Sequence, residues 1–151
     1  MIVVDASVVV KWFVDEGDHL DAIQLTKAEA ALKAPDIVLA EVVHVLRRKI
    51  RTGIISTAQA SEAVARVKTA FKHLVPSIDL IDVAFDLSST MDHSIYDAMY
   101  LACALDDADD ILVTADRKFA AKASAAGFDN KIRILGAALP GSTSLQENSH
   151  G

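Results

Sequence analysis

The chain is 151 residues long and 52% apolar, which fits one domain with a sizeable buried core and excludes a disordered chain or a disulfide-stapled miniprotein. Its 21 acidic residues outnumber 15 basic ones and leave a net charge of −6, so bulk positive charge cannot hold nucleic acid here, although a local basic patch can. The single cysteine, Cys103, makes no intramolecular disulfide, and without paired C-x-x-C spacing for zinc the natural setting is a reducing compartment.

Ile2 to Val4 are all apolar and β-branched, as in a strand buried on both faces, and Asp5-Ala6-Ser7 stops it. The opening has neither the basic start nor the long apolar run of an export signal. No uncharged apolar run reaches about 18 residues, so a soluble cytoplasmic protein with no membrane span is expected. A helix is predicted from Ser7 to Val14. A second runs from about His19 to Leu32, with Leu20, Ile23, Ala30 and Leu32 among its apolar positions, and Pro35 ends it. Asp36 is placed as the cap of a third helix. There Ile37, Val38, Val42, Val45, Leu46 and Ile50 repeat at three and four, and the helix ends near Gly53.

Ser56 opens a fourth helix with Ala60, Ala63, Val64, Val67, Phe71 and Leu74 on one face. Pro76 interrupts Leu74 to Ile81, leaving at most a short strand before a helix from about Ile81 to Met91. Ser94 precedes a helix from Ile95 to Leu105 with almost no polar face, which should be central and buried. Ile111 to Thr114 is a second buried strand, followed by Asp116 and a helix ending at Gly127, and Ile132 to Ile134 is a last strand. Residues 1–140 read as one domain and 141–151 as a polar tail without a part in the chemistry. Short apolar strands separated by helices imply an α/β fold whose central parallel sheet is covered on both faces. Ligands then bind beyond the carboxyl ends of the strands, which here means at Asp5 and Asp116.

With so many acids in the chain, spacing alone carries little and location must carry the argument. Asp5 and Asp116 each follow a buried strand and share an edge if those strands are neighbours, with a hydroxyl beside each, Ser7 and Thr114. Both also suit a helix N-cap. Asp97 is the only charged residue between His93 and Leu105, on a helix with scarcely any solvent-facing side, where an unpaired carboxylate is costly. Its bland alternative is a capping box, Ser94-x-x-Asp97. Glu41 lies one turn into its helix near the apolar side, where a solvated glutamate is the alternative. Carboxylates converging on one cleft repel one another and are relieved by a divalent cation, which oxygen ligands select as Mg²⁺ or Mn²⁺. Such a site suits phosphodiester hydrolysis by a metal-activated water, with no side-chain nucleophile.

Four motifs now stand in order: Ile2-Val3-Val4-Asp5-Ala6-Ser7, Pro35-x5-Glu41, Tyr96-Asp97-Ala98-x-Tyr100-Leu101-Ala102 and Thr114-Ala115-Asp116. Over residues 1 to about 135 the chain resembles the PIN-domain nucleases, and among them the VapC-type toxins. By position, Asp5, Glu41, Asp97 and Asp116 match the family's acidic quartet as catalytic residues, with Asp5, Asp97 and Asp116 as metal ligands, and Ser7 and Thr114 match its hydroxyl positions. The resemblance implies a three-layer α/β/α fold and Mg²⁺- or Mn²⁺-dependent endoribonuclease activity. It also implies homodimers and inhibition by a cognate antitoxin.

Arg47, Arg48, Lys49 and Arg51, with Arg66, Lys68 and Lys72 on the next helix, can track RNA phosphates or simply suit solvated helix faces. His44 and His93, near Glu41 and Asp97 in sequence, could assist proton transfer but read first as surface or packed histidines, and Cys103 as a core residue. Trp12 and Phe13 read as core or dimer contacts, and the apolar Val8, Val9, Trp12 and Phe13 segment as more than one small domain buries. A dinucleotide-binding fold is disfavoured because the first glycine is Gly17, so no G-x-G-x-x-G follows the first strand. An aspartyl phosphatase would want an acid where Ser7 stands. A phospho-accepting signalling receiver domain would need a paired acid where Val4 stands and a lysine after Ile134, where Leu135-Gly136 follows. The remaining alternative is a catalytically silent binding module of the same fold.

Overall fold

The computed structural model describes residues 1–137 and 139. The elements run β1 (Ile2–Val4), α1 (Ala6–Val10), α2 (His19–Thr26), β2 (Leu32–Pro35), α3 (Val38–Arg51), α4 (Thr57–Ala70), β3 (His73–Val75) and α5 (Ser77–Met91). They continue with α6 (Ile95–Leu105), β4 (Ile111–Thr114), α7 (Arg117–Ala123) and β5 (Ile132–Ile134). All strand pairs are parallel, in the order β3-β2-β1-β4-β5, and helices flank the sheet in a three-layer α/β/α arrangement. No helix among the described residues is long and apolar enough to cross a membrane.

This order places the functional edge. From central β1 the chain steps outward through β2 to β3, then returns to lay β4 on the other side of β1, so the topological switch point lies between β1 and β4. Val4 is level with Val113, which sets Asp5 beside Thr114 at the carboxyl edge. Val3, Val4, Leu112 and Val113 are buried, as the unbroken apolar runs require. Helix α6 lies across β1, β2 and β4 with every residue from Ala98 to Ala104 buried, the central helix expected.

The structure corrects several expectations. The helix expected from His19 to Leu32 stops at Thr26, and Leu32–Pro35 is a fully buried strand. That run of Ala, Leu and Lys contains no β-branched residue and imitates a helix. Lys33 is tolerated inside because Asp110 Oδ2 lies 2.7 Å from its ammonium and Asp106 Oδ2 3.3 Å. The first α-helix ends at Val10, after which Lys11, Trp12 and Phe13 amides bond carbonyls three residues back. Asp36 does not cap α3; its Oδ1 instead accepts from the Ser77 amide and hydroxyl at 3.1 and 2.8 Å, tying α3 to the start of α5. That start is four residues before the predicted Ile81, because Pro76 occupies the N-cap position. His73–Val75 completes the sheet's edge as β3. The tail expected at 141–151 falls outside the described residues.

Val8 and Val9 are fully buried in the chain's own core. Trp12 packs against Phe13 and Phe71 with ring centroids 6.2 and 6.1 Å away. The segment expected to exceed what one domain buries is therefore largely covered by the chain itself.

Candidate active site

A cleft of about 810 Å³ opens at the switch point, and Asp5, Glu41, Asp97 and Asp116 all line it. Asp5 comes off β1 and caps α1, its Oδ1 accepting from the Val8 amide at 3.2 Å and the Ser7 hydroxyl at 2.5 Å. Its Oδ2 accepts from the Thr114 hydroxyl. Ser7 and Thr114 then face the other way: Ser7 Oγ accepts from the Ala115 amide at 3.2 Å and Thr114 Oγ1 from the Asp116 amide at 3.0 Å. The two hydroxyls thus lock the β1 and β4 exits together around one carboxylate. Burial pushes the Asp5 carboxyl up to about 6 despite three hydrogen bonds that favour its charged form.

Asp116 caps α7, with Oδ1 accepting from the Phe119 amide at 3.0 Å. The N-cap role and a place in the cleft are not exclusive, because a carboxylate has a second oxygen. Asp97 is not engaged as a helix cap. Ser94 caps α6 by accepting from the Tyr96 amide at 3.2 Å, while Asp97 Oδ2 lies 2.6 Å from His93 Nε2. Burial raises the Asp97 carboxyl, with His93 pulling it down and Asp116 adding to the rise. Glu41, half-buried on α3, accepts the Tyr100 hydroxyl at Oε1, 2.6 Å away. Burial raises its carboxyl too, partly offset by that bond.

Ligand-type atoms of His93, Asp97 and Asp116 all lie within 4.8 Å of one another. Asp5 lines the same cleft just outside this group, with both oxygens already engaged by protein donors. The contact of His93 with Asp97 and that of Tyr100 with Glu41 are features that sequence reasoning did not foresee, although His93 stands out there as a neighbour of Asp97. The available signals were the i, i+4 spacing of His93 to Asp97 and a tyrosine hydroxyl inside a helix with no polar face, which must find a partner when buried. His93 is placed by the end of α5, where Asp92 adopts φ +46° and the His93 amide turns back to the Ser88 carbonyl at 3.1 Å. Its ring stacks on Phe119 at 5.1 Å.

The family model of the PIN domain matches residues 2–125. Among solved structures, PAE2754 from Pyrobaculum aerophilum is 25% identical over 80% of this chain and 78% of that one, with a TM-score of 0.60. VapC20 of Mycobacterium tuberculosis, a Sarcin-Ricin loop cleaving toxin, is 23% identical over 85% of this chain and 96% of its own, with a TM-score of 0.63, and shows likeness of fold. No curated protein matches the chain.

Proposed function

The chain belongs to the PIN domain family, and from that premise we propose that it is a divalent-metal-dependent endoribonuclease, the toxin of a toxin–antitoxin pair, with Asp5, Glu41, Asp97 and Asp116 as its acidic machinery. The observation that carries this reading is the convergence of four carboxylates, from β1, α3, α6 and the β4 exit, on one cleft at the switch point.

The donor set fits Mg²⁺ or Mn²⁺. Hard carboxylate oxygens share one cleft, and the carboxyls of Asp5, Asp97 and Glu41 are all raised, chiefly by burial and further by a neighbouring carboxylate, which a cation favouring their charged forms would offset. Asp97 and Asp116 would hold it with Asp5 beside them, and His93 braces Asp97 from behind. Such an ion, when bound, lowers the pKa of water and neutralises charge developing on the phosphate and leaving oxygen. Ser7 and Thr114 serve as positioning residues, fixing Asp5 by donating to both its oxygens. Glu41, whose Oε1 is occupied by Tyr100, retains Oε2 to accept a proton from the attacking water.

A homodimer, a cognate antitoxin and a cytoplasmic setting accompany this reading. The test is cleavage of a total RNA pool with Mg²⁺ or Mn²⁺ against chelator, wild type beside Asp97→Asn. Metal-dependent cleavage lost in the variant is expected; no cleavage by wild type with either metal overturns the reading.

A further inference from the structure

The cleft is lined by cations as well as carboxylates. Lys11 from the end of α1 and Arg48 and Lys49 from the last turns of α3 line the same space as the four acids. One face of α3 supplies both signs, since Glu41, His44, Val45 and Arg48 all line the cleft at helical spacing. Arg48 stands seven residues beyond Glu41, about 10 Å along the axis, too far to pair with it. Among the described residues Arg48 is exposed and its guanidinium has no hydrogen-bond or ion-pair partner. The helix macrodipole explains basic residues anywhere in that last turn, but not why these two line the cleft that holds the acids.

The lysines beside it are occupied. Glu16 bonds Lys49 through Oε1 and lies 3.5 Å from Lys11 through Oε2, and Asp18 lies 2.9 Å from Lys11. Glu16 itself lines the cleft. A carboxylate clamped by two lysines inside a cleft that must take a polyanion has the charge and bidentate shape of a phosphate.

We propose that Arg48, Lys49 and Lys11 form a phosphate subsite for the RNA strand flanking the scissile bond, and that Glu16 fills its lysines until an RNA phosphate displaces it. This rests on the ribonuclease reading and adds strand placement to it. Arg48 is the open contact that RNA meets first, and Glu16 is a competitor built into the rim.

The experiment measures binding of a short fluorescent single-stranded oligoribonucleotide in chelator across a salt series, with metal-dependent cleavage read separately. Arg48→Gln is expected to weaken binding several-fold at low salt and to flatten the log–log salt dependence by about 0.7 for the lost contact. Glu16→Gln is expected to tighten binding, and Lys49→Gln to weaken it, each with a melting curve showing a folded protein. Unchanged affinity and slope in both Arg48→Gln and Lys49→Gln, or weaker binding by folded Glu16→Gln, overturns the subsite. Polyglutamate of matched charge binding as tightly as the RNA overturns it in favour of an acidic peptide. Wild type that binds RNA through Arg48 yet cleaves none with metal leaves the subsite standing and removes the nuclease reading; cleavage with no dependence of binding on Arg48 does the reverse.

Discussion

Tyr100 donates its hydroxyl to Glu41 at 2.6 Å from the buried middle of α6, where Tyr100 itself is 1% exposed. The bond favours the charged form of Glu41 against the burial that raises its carboxyl. Tyr100→Phe removes the donor and leaves that burial uncompensated. The acid limb of the pH–rate profile should therefore move to higher pH, so cleavage should fall at pH values on that limb and hold on the plateau above it. Stability should fall by about 1–2 kcal/mol for the lost bond to a charged acceptor. A pH–rate profile superimposable on wild type would remove Glu41 from proton transfer.

Metal-free stability should fall as pH rises. Asp5 sits at about 6 in the folded protein against the usual 3.8, so its contribution is complete below about pH 4 and is lost as pH rises through about 6. That gap corresponds to on the order of 3 kcal/mol. The raised carboxyls of Glu41 and Asp97 act in the same direction. Melting in chelator should drop by several degrees between about pH 5 and pH 7, and Mg²⁺ or Mn²⁺ at millimolar level should restore it at the higher pH by binding only the folded state. Equal melting curves with chelator and with metal at neutral pH would contradict a cation-relieved cluster.

Much of this site is written locally and some of it is not. Asp5 and Asp116 were legible because an unbroken β-branched run makes a buried parallel strand, and the residue after such a strand falls at the ligand edge. Asp97 was legible as the one charge on a helix without a polar face. Glu41 had no such local mark, since a glutamate near an apolar stripe is ordinary; only its place in the family's motif order drew attention to it. Strand β2 was hidden because Lys33 stands where an apolar residue was required, and the acid that permits it, Asp110, is 77 positions away. The bond from His93 to Asp97 was only half legible: the i, i+4 spacing allows it, but His93 is placed by the left-handed turn at Asp92, a conformation Asp adopts more readily than most residues but does not announce.

Asp97→Asn keeps the side-chain shape and a polar atom for His93 while removing one of the mutually repelling charges. Metal affinity by calorimetry should collapse, while metal-free stability should hold or rise. The geometry already separates this from a capping role, because Ser94 caps α6 and Asp97 turns to His93. A variant that binds Mn²⁺ as wild type does would exclude Asp97 as a ligand.

At the opposite edge of the sheet, Lys33 and Asp110 are each 2% exposed and 2.7 Å apart, so the fold depends on a buried charge pair far from the cleft. Burial pushes the Lys33 ammonium down, and the bonds to Asp110 and Asp106 more than reverse it, keeping it charged. Removing one partner strands the other. Asp110→Asn should cost about 3 kcal/mol, because Asp106, 3.3 Å away and largely exposed, is a weak substitute. Lys33→Met should cost less, because Asp110 Oδ1 keeps the N-terminal ammonium of Met1 2.5 Å away. The double variant Lys33→Met/Asp110→Asn should lose less than the sum of the two, since the Lys33–Asp110 contact is removed in each single variant and can be lost only once. Denaturant midpoints of the four proteins measure this coupling, and metal affinity should stay unchanged in all of them because the pair lies at the amino edge of β2 and β4. Strictly additive losses would show that Lys33 and Asp110 act independently and that the strand tolerates the lysine for another reason.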